Sequence, residues 1–181
     1  MKLAFIGGTG RCGTSITREL LGRSTKVSVL PFEHRILIDP DAPIDFLNSL
    51  DLYRDPFKID IALKRMISHL ENLDNKSFLK SLTDSFIKKT KLSKYITPSK
   101  YSGWNLSSTF NNYQEELFIF KKRIRSFSYE GRWVGSKSYK IKNTLGFFSH
   151  EDKKEFASIV NNFYSALVSN YLEKQQTSHF V

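Results

Sequence analysis

The sequence predicts an α/β fold, a parallel sheet flanked by helices and helix-rich after its first βαβ unit, on three observations. Lys2 to Arg35 reads as strand, glycine-rich turn, helix and second strand. Beyond it, apolar residues recur mostly at helical spacing. Segments with the continuous apolar character of a strand covered on both faces are few, so the sheet is expected to hold fewer strands than its helices require.

In chain order, Leu3 to Ile6 is an apolar run too short for a helix and bounded by glycine, hence a strand. Gly7, Gly8 and Gly10 let the main chain turn tightly and bring its N–H groups close to a ligand. From Thr14 the spacing is helical, with Ile16, Leu20 and Leu21 expected on the inner face and Gly22 at the stop. Lys26 to Leu30 is the second strand. The turn therefore aims free N–H groups and the positive end of a helix dipole at one point, which is an anion site.

The remainder is read as helices and connectors. Asp41-Ala42-Pro43 opens a short helix with Ile44, Leu47 and Leu50 inward. Asp55-Pro56 supplies an N-cap and a first-turn proline for a helix burying Phe57, Leu63, Met66, Ile67 and Leu70. Asn75 starts another, with Phe78, Leu82 and Phe86 as its stripe. Thr97 to Ser108 has loop composition, and its Tyr101 and Trp104 suit either stacking on a ligand or anchoring the loop. Tyr113, Leu117, Phe120, Ile124 and Phe127 form a helical stripe whose outer face carries Lys121, Lys122, Arg123 and Arg125. Gly131 to Phe148 is a basic, aromatic connector with a weak strand near Tyr139. Ser149 and Asp152 open the last helix in the manner of a capping box, with Phe156, Ile159, Val160, Phe163, Leu167 and Tyr171 on one face. After Lys174 no element is signalled.

With 181 residues the chain is long enough for one domain with a real core. A single cysteine excludes an internal disulfide framework and, with no secretory signal and no long apolar run, predicts a soluble, cytoplasmic protein without a membrane partner. The formal net charge of +10 calls for an anionic ligand. An anionic nucleotide or an acidic acceptor accounts for that charge better than nucleic acid, for which no reading motif is present. The four histidines are scattered without ligand spacing, so no metal site is expected.

Three loop types overlap on the glycine-rich turn. Gly8 to Ser15 fits G-x-x-x-x-G-T-S, a phosphate loop with Thr14 where nucleotide hydrolysis needs lysine. Gly7, Gly10 and Gly13 fit the G-x-x-G-x-x-G spacing of extended dehydrogenases, in which Glu33 would hold a ribose, but no Tyr-x-x-x-Lys pair accompanies it. Cys12 and Arg18 have the C-x5-R spacing of a thiol phosphatase without its flanking histidine or hydroxyl. Cys12 itself is either a reactive thiol or a filler of a serine's space.

Gly10-Arg11-Cys12-Gly13-Thr14-Ser15 with Arg18-Glu19-Leu20-Leu21 resembles the 5′-phosphosulfate loop of the sulfotransferase family, and Pro31-Phe32-Glu33-His34-Arg35 with Asp39-Pro40 resembles the segment after the second strand in its bacterial and tyrosylprotein-type members. Cys12 departs from the usual serine. The resemblance covers residues 2 to 50 and implies a P-loop-like fold, 3′-phosphoadenylyl sulfate (PAPS) as donor without a metal, and a small-molecule or glycan acceptor carrying a hydroxyl or amine. It places the donor on Thr9 to Ser15 (Thr9, Gly10, Arg11, Cys12, Gly13, Thr14 and Ser15).

Sulfuryl transfer, like phosphoryl transfer, is chiefly a matter of positioning and charge stabilisation. Arg11 offers a permanent cation and forked donors beside the bridging oxygen. Thr14 and Ser15 offer hydroxyl and backbone donors. Glu33, just past the second strand, is a general base for the acceptor or an ion-pair partner of Arg35 or Arg11. The family's 3′-phosphate segment has no counterpart, since Arg54-Asp55-Pro56 reads as a helix start; the expectation is therefore the N-terminal part of a longer enzyme or a shortened relative. A nucleotide-binding protein without transfer activity, or an NAD(P)-type binder, is the alternative.

Overall fold

The structure, a computed structural model, describes residues 2–8, 12–30, 36–53, 55–74, 106–130, 144–146, 152–177 and 179–180. Its elements are β1 (Lys2–Leu3), α1 (Thr14–Leu21), β2 (Val27–Ser28), α2 (Pro43–Leu52), α3 (Pro56–Leu73), α4 (Leu106–Thr109), α5 (Tyr113–Ile124), a 3-10 turn (Arg125–Phe127), β3 (Ser128–Glu130), β4 (Thr144–Gly146), α6 (Lys153–Gln175) and β5 (His179–Phe180). The fold is mostly helical around a small parallel sheet. The expected helix from Asn75 with its Phe78, Leu82 and Phe86 stripe, the Tyr139 strand, Tyr101, Trp104 and the Ser149 cap lie outside the described residues.

The parallel sheet has three strands in the order β1-β5-β2. Lys2 is in register with His179 and Leu3 with Phe180, while Val27 and Ser28 take the same two residues on the other side. Ala4 N–H extends the first ladder to Phe180 O at 2.9 Å, and His179 N–H donates to Lys26 O at 3.2 Å. The central strand thus comes from the stretch that carries no signal in the sequence. Two residues are too few for periodicity to register, and Phe180 becomes a strand residue only because two ladders await it.

Alternation along the strand places helices on both faces. On one side the Ser28 and Thr177 hydroxyls are hydrogen-bonded, Tyr171 Oη donates to Val29 O at 2.9 Å, and Tyr171 meets Phe180 edge to face at 5.8 Å, so α6 covers that face. On the other, a Cβ at Gly22 would stand 2.9 Å from Val29 Cγ2, so the end of α1 closes over it. Only the α6 side is well buried: Ser28, Leu30 and Phe180 are buried, whereas no residue of α1 is. The inward placement of Ile16, Leu20 and Leu21 is therefore corrected, with Ile16 65% and Leu20 58% exposed. The side of α1 turned to the sheet is the one carrying Gly22, and its apolar stripe points away.

The core is a bundle of α2, α3, α5 and α6 joined to the sheet through α6. Tyr113, Leu117, Phe120 and Ile124 of α5 and Phe156, Ile159, Val160, Phe163, Leu167 and Tyr171 of α6 are all buried, as their spacing predicts. Their rings form a continuous column: Phe46 to Phe156 at 4.8 Å, Phe156 to Phe120 at 6.3 Å, Phe120 to Phe163 at 5.0 Å and Phe163 to Tyr113 at 6.2 Å. In α3 the Asp55 carboxylate accepts from Phe57 N–H at 2.9 Å behind a first-turn Pro56, the cap expected there. In α2 Phe46 is the buried aromatic, and Ile44, expected inward, is 40% exposed.

Two connectors also differ from expectation. The helical turn Leu106–Thr109 takes in residues 106–108, read as loop, because buried Asp74 reaches across to accept Ser107 N–H at 2.8 Å, with Ser107 Oγ and Gln114 Nε2 as further donors. A carboxylate 33 residues distant thus supplies the cap. Ser128–Glu130 and Thr144–Gly146 pair antiparallel, so part of the predicted 131–148 connector is a strand. Lys121, expected on a solvated face, reaches Glu71 at 2.8 Å. No described helix is long and apolar enough to cross a membrane.

Burial decides two measurable outcomes. Phe163→Ala should lower unfolding free energy by about 3–5 kcal/mol, because the aromatic column loses a member and leaves a cavity. Ile16→Ser should change it by about 0.5 kcal/mol or less; urea titrations that reversed this order would contradict the outward orientation of α1. Burial raises the pKa of Tyr113, Tyr164 and Tyr171, with the Asp74 and Glu71 charges adding to the effect on Tyr113. Tyrosine in an unfolded chain ionises near about 10. The folded state therefore favours the protonated phenols, a contribution complete below pH about 10 and lost as pH rises further toward the folded values. Phenolate absorbance should show these tyrosines ionising only as the protein unfolds.

Candidate functional site

The turn between β1 and α1 stands at the carboxyl end of a parallel strand, where open α/β sheets place their ligands. Gly13 is the N-cap of α1 with φ 87° and ψ 8°, a left-handed conformation that a side chain resists, and it reverses the chain so that the helix starts at once. Its carbonyl accepts from Thr17 N–H at 3.0 Å and Thr17 Oγ1 at 3.1 Å, which locks the first turn. Glycine offers no capping side chain, and the first turn of α1 contains no acidic residue. Thr14 and Ser15 consequently occupy the first two helical positions with their N–H groups directed toward the loop and no carboxylate of that turn beside them.

Gly8 and Cys12 meet across the loop. A Cβ at Gly8 would overlap Cys12 Sγ and stand 3.2 Å from Thr14 Cγ2, so the loop closes only because position 8 is glycine. Sequence spacing had singled out Gly7, Gly10 and Gly13 without distinguishing this tight approach. Cys12 is exposed, and Gly13 and Thr14 are partly so.

Of the sequence-predicted site residues, the structure brings Cys12, Gly13, Thr14 and Ser15 together at the start of α1. Thr9, Gly10, Arg11 and Glu33 lie outside the described residues. One residue beside the loop was missed. Phe5, read as part of a buried strand, is 67% exposed two positions before Gly7.

A cleft of about 130 Å³ between α2 and α3 is lined by Asp41, Asp45, Asn48, Tyr53 and Arg65 among others. There Arg65 grips Asp41 at 2.8 Å, and Asp45 accepts Asp41 N–H at 2.9 Å. Among the described residues no group of three or more His, Cys, Asp or Glu is arranged to hold a metal ion. No protein-family model, curated protein or solved structure matches the chain.

The loop geometry gives two expectations. Gly13→Ala should cost about 1–2 kcal/mol from left-handed strain alone, read as a lowered Tm. Cys12, the chain's one cysteine, should react stoichiometrically with DTNB in the folded protein, and a requirement for denaturant would contradict its exposure.

Proposed function

We propose that the loop from Gly7 to Ser15 grips the 5′-phosphosulfate of PAPS and that the chain is a sulfotransferase of P-loop-like fold acting on a hydroxyl or amine acceptor. The observation that carries this reading is the start of α1. A left-handed glycine presents the N–H groups of Thr14 and Ser15 at the carboxyl end of a parallel strand, with no acidic residue in the turn. Such a terminus favours an anion with several oxygens, and the sequence around it has the sulfotransferase pattern. The net charge of +10 attracts the same ligand.

Strand order weighs against the dinucleotide alternative. Doubly wound dinucleotide-binding sheets set the second strand directly beside the first. Here β5 stands between β1 and β2. The G-x-x-G-x-x-G spacing thus sits in a topology unlike the one it serves in dehydrogenases.

In the proposed reaction the donor's phosphate rests on the loop amides and the Thr14 and Ser15 hydroxyls. Arg11 stabilises charge gathering on the bridging oxygen as the sulfur–oxygen bond breaks. Glu33 accepts the acceptor's proton as the new bond to sulfur forms. The products are the sulfated acceptor and adenosine 3′,5′-bisphosphate.

Thermal shift with adenosine 3′,5′-bisphosphate, NADPH and Mg-ATP tests the binding step. At a hundredfold excess over Kd a ligand stabilises by about 2.7 kcal/mol, which for a chain of this size raises Tm by about 5–10 °C. The bisphosphate should give that shift and Arg11→Ala should reduce it; a response to NADPH alone would overturn the assignment. Glu33→Gln should keep the bisphosphate shift while slowing PAPS turnover by about 10²–10⁴, and unchanged turnover would remove Glu33 from the chemistry.

A further inference from the structure

The outer face of α5 sets exposed apolar side chains beside cations that no described carboxylate neutralises. Phe118 is 64% and Ile119 37% exposed, although Leu117, Phe120 and Ile124 on the opposite face of the same helix are buried. One turn further on stand Lys122 and Arg123, both exposed. Residues four apart on a helix are neighbours on its surface, so Phe118 lies beside Lys122 and Ile119 beside Arg123. Among the described residues neither of these cations has an ion-pair partner, whereas the adjacent Lys121 is tied to Glu71 at 2.8 Å. Basic residues in a last turn complement the helix dipole, which accounts for the charges but not for the apolar pair among them. Single exposed apolar residues are common on protein surfaces. Two in succession, each with an unpaired cation one turn away, make the pattern of a face that meets an anionic boundary with an apolar interior.

We propose that this face of α5 docks on the surface of an anionic bilayer, with Phe118 and Ile119 entering the headgroup boundary and Lys122 and Arg123 lying against the anionic headgroups. Side chains standing out from a helix's outer face are anchors rather than a groove, and a fluid bilayer accepts anchors without a shape to match them. An acidic protein would have to supply the groove itself. The apolar pair also holds where salt screens the cations. The expectation of no membrane partner rested on the lack of a spanning run, and surface attachment needs none; no described helix is long and apolar enough to cross a membrane. The attachment stands independently of how the glycine-rich loop is read.

Co-sedimentation at physiological salt with vesicles of phosphatidylcholine, alone or with about one third phosphatidylserine, tests the docking. Wild type should bind the anionic vesicles and not the neutral ones. A Lys or Arg near an anionic surface contributes about fivefold to partitioning, so Lys122→Gln with Arg123→Gln should weaken binding by about 25-fold. Phe118→Ser with Ile119→Ser should weaken it by about tenfold. All four side chains are exposed, so the urea midpoints of both variants should match wild type. Arg23→Gln with Lys154→Gln removes the same net charge from exposed positions elsewhere and should weaken binding by less than about threefold. An equal loss in this control pair would reduce the attraction to net charge, and an unchanged serine pair would remove the apolar anchors; either result overturns the proposal. So would wild type that stays in solution with anionic vesicles, whether or not it binds poly-glutamate or a single-stranded oligonucleotide.

Discussion

The structure depends on the burial of one face of α6 along its whole length. At one end of that helix Phe156 and Phe163 interlock with Phe46 and Phe120, and at the other Tyr171 and Leu172 lie over β5. Among the described residues α6 packs against both the helical bundle and the parallel sheet, whereas α1 on the sheet's opposite face buries nothing. Each large aromatic buried here contributes on the order of 2–3 kcal/mol by removal from water. The same residues that stabilise the bundle therefore fix the height at which the sheet, and the loop above it, are held.

Polar contacts refine this arrangement at its joints. Tyr113 Oη donates to Leu70 O at 2.8 Å deep between α3 and α5, and Asp74 gathers the start of α4 and Gln114 of α5 around one buried carboxylate. Each satisfies groups that would be costly to bury alone. The outer pairs, Lys153 with Asp51 and Lys121 with Glu71, lie in solvent-screened positions where such bridges contribute little.

Legibility in the sequence followed the length of each element's signal. The stripes of α5 and α6 were readable because ten or more residues repeated one period, and Asp55-Pro56 was readable because a cap is a local device. The helix at Leu106–Thr109 was not, since its cap comes from Asp74, and β5 was not, since two residues have no period. For α1 the period was right and the direction wrong. Amphipathic spacing says that Ile16 and Leu20 share a side, but only the sheet decides which side is covered, and three strands of two residues cover little. In the candidate site, glycine spacing located the turn before α1, whereas the left-handed conformation of Gly13, the closeness of Gly8 to Cys12 and the exposure of Phe5 are three-dimensional facts that one-dimensional spacing does not contain.

The place of β5 governs how the sheet comes into being. Among the described residues β1 and β2 have no ladder to each other and pair only with His179 and Phe180, some 150 to 177 residues further along, which arrive between them. Closing loops of that length is slow compared with winding local helices. On a ribosome emitting about 5–20 residues per second, the amino-terminal strands would wait many seconds as bare edges, the form of chain most given to wrong pairing. Assembly of the platform beneath the glycine-rich turn is thereby a late event, conditional on the helices having first drawn the distant strand home.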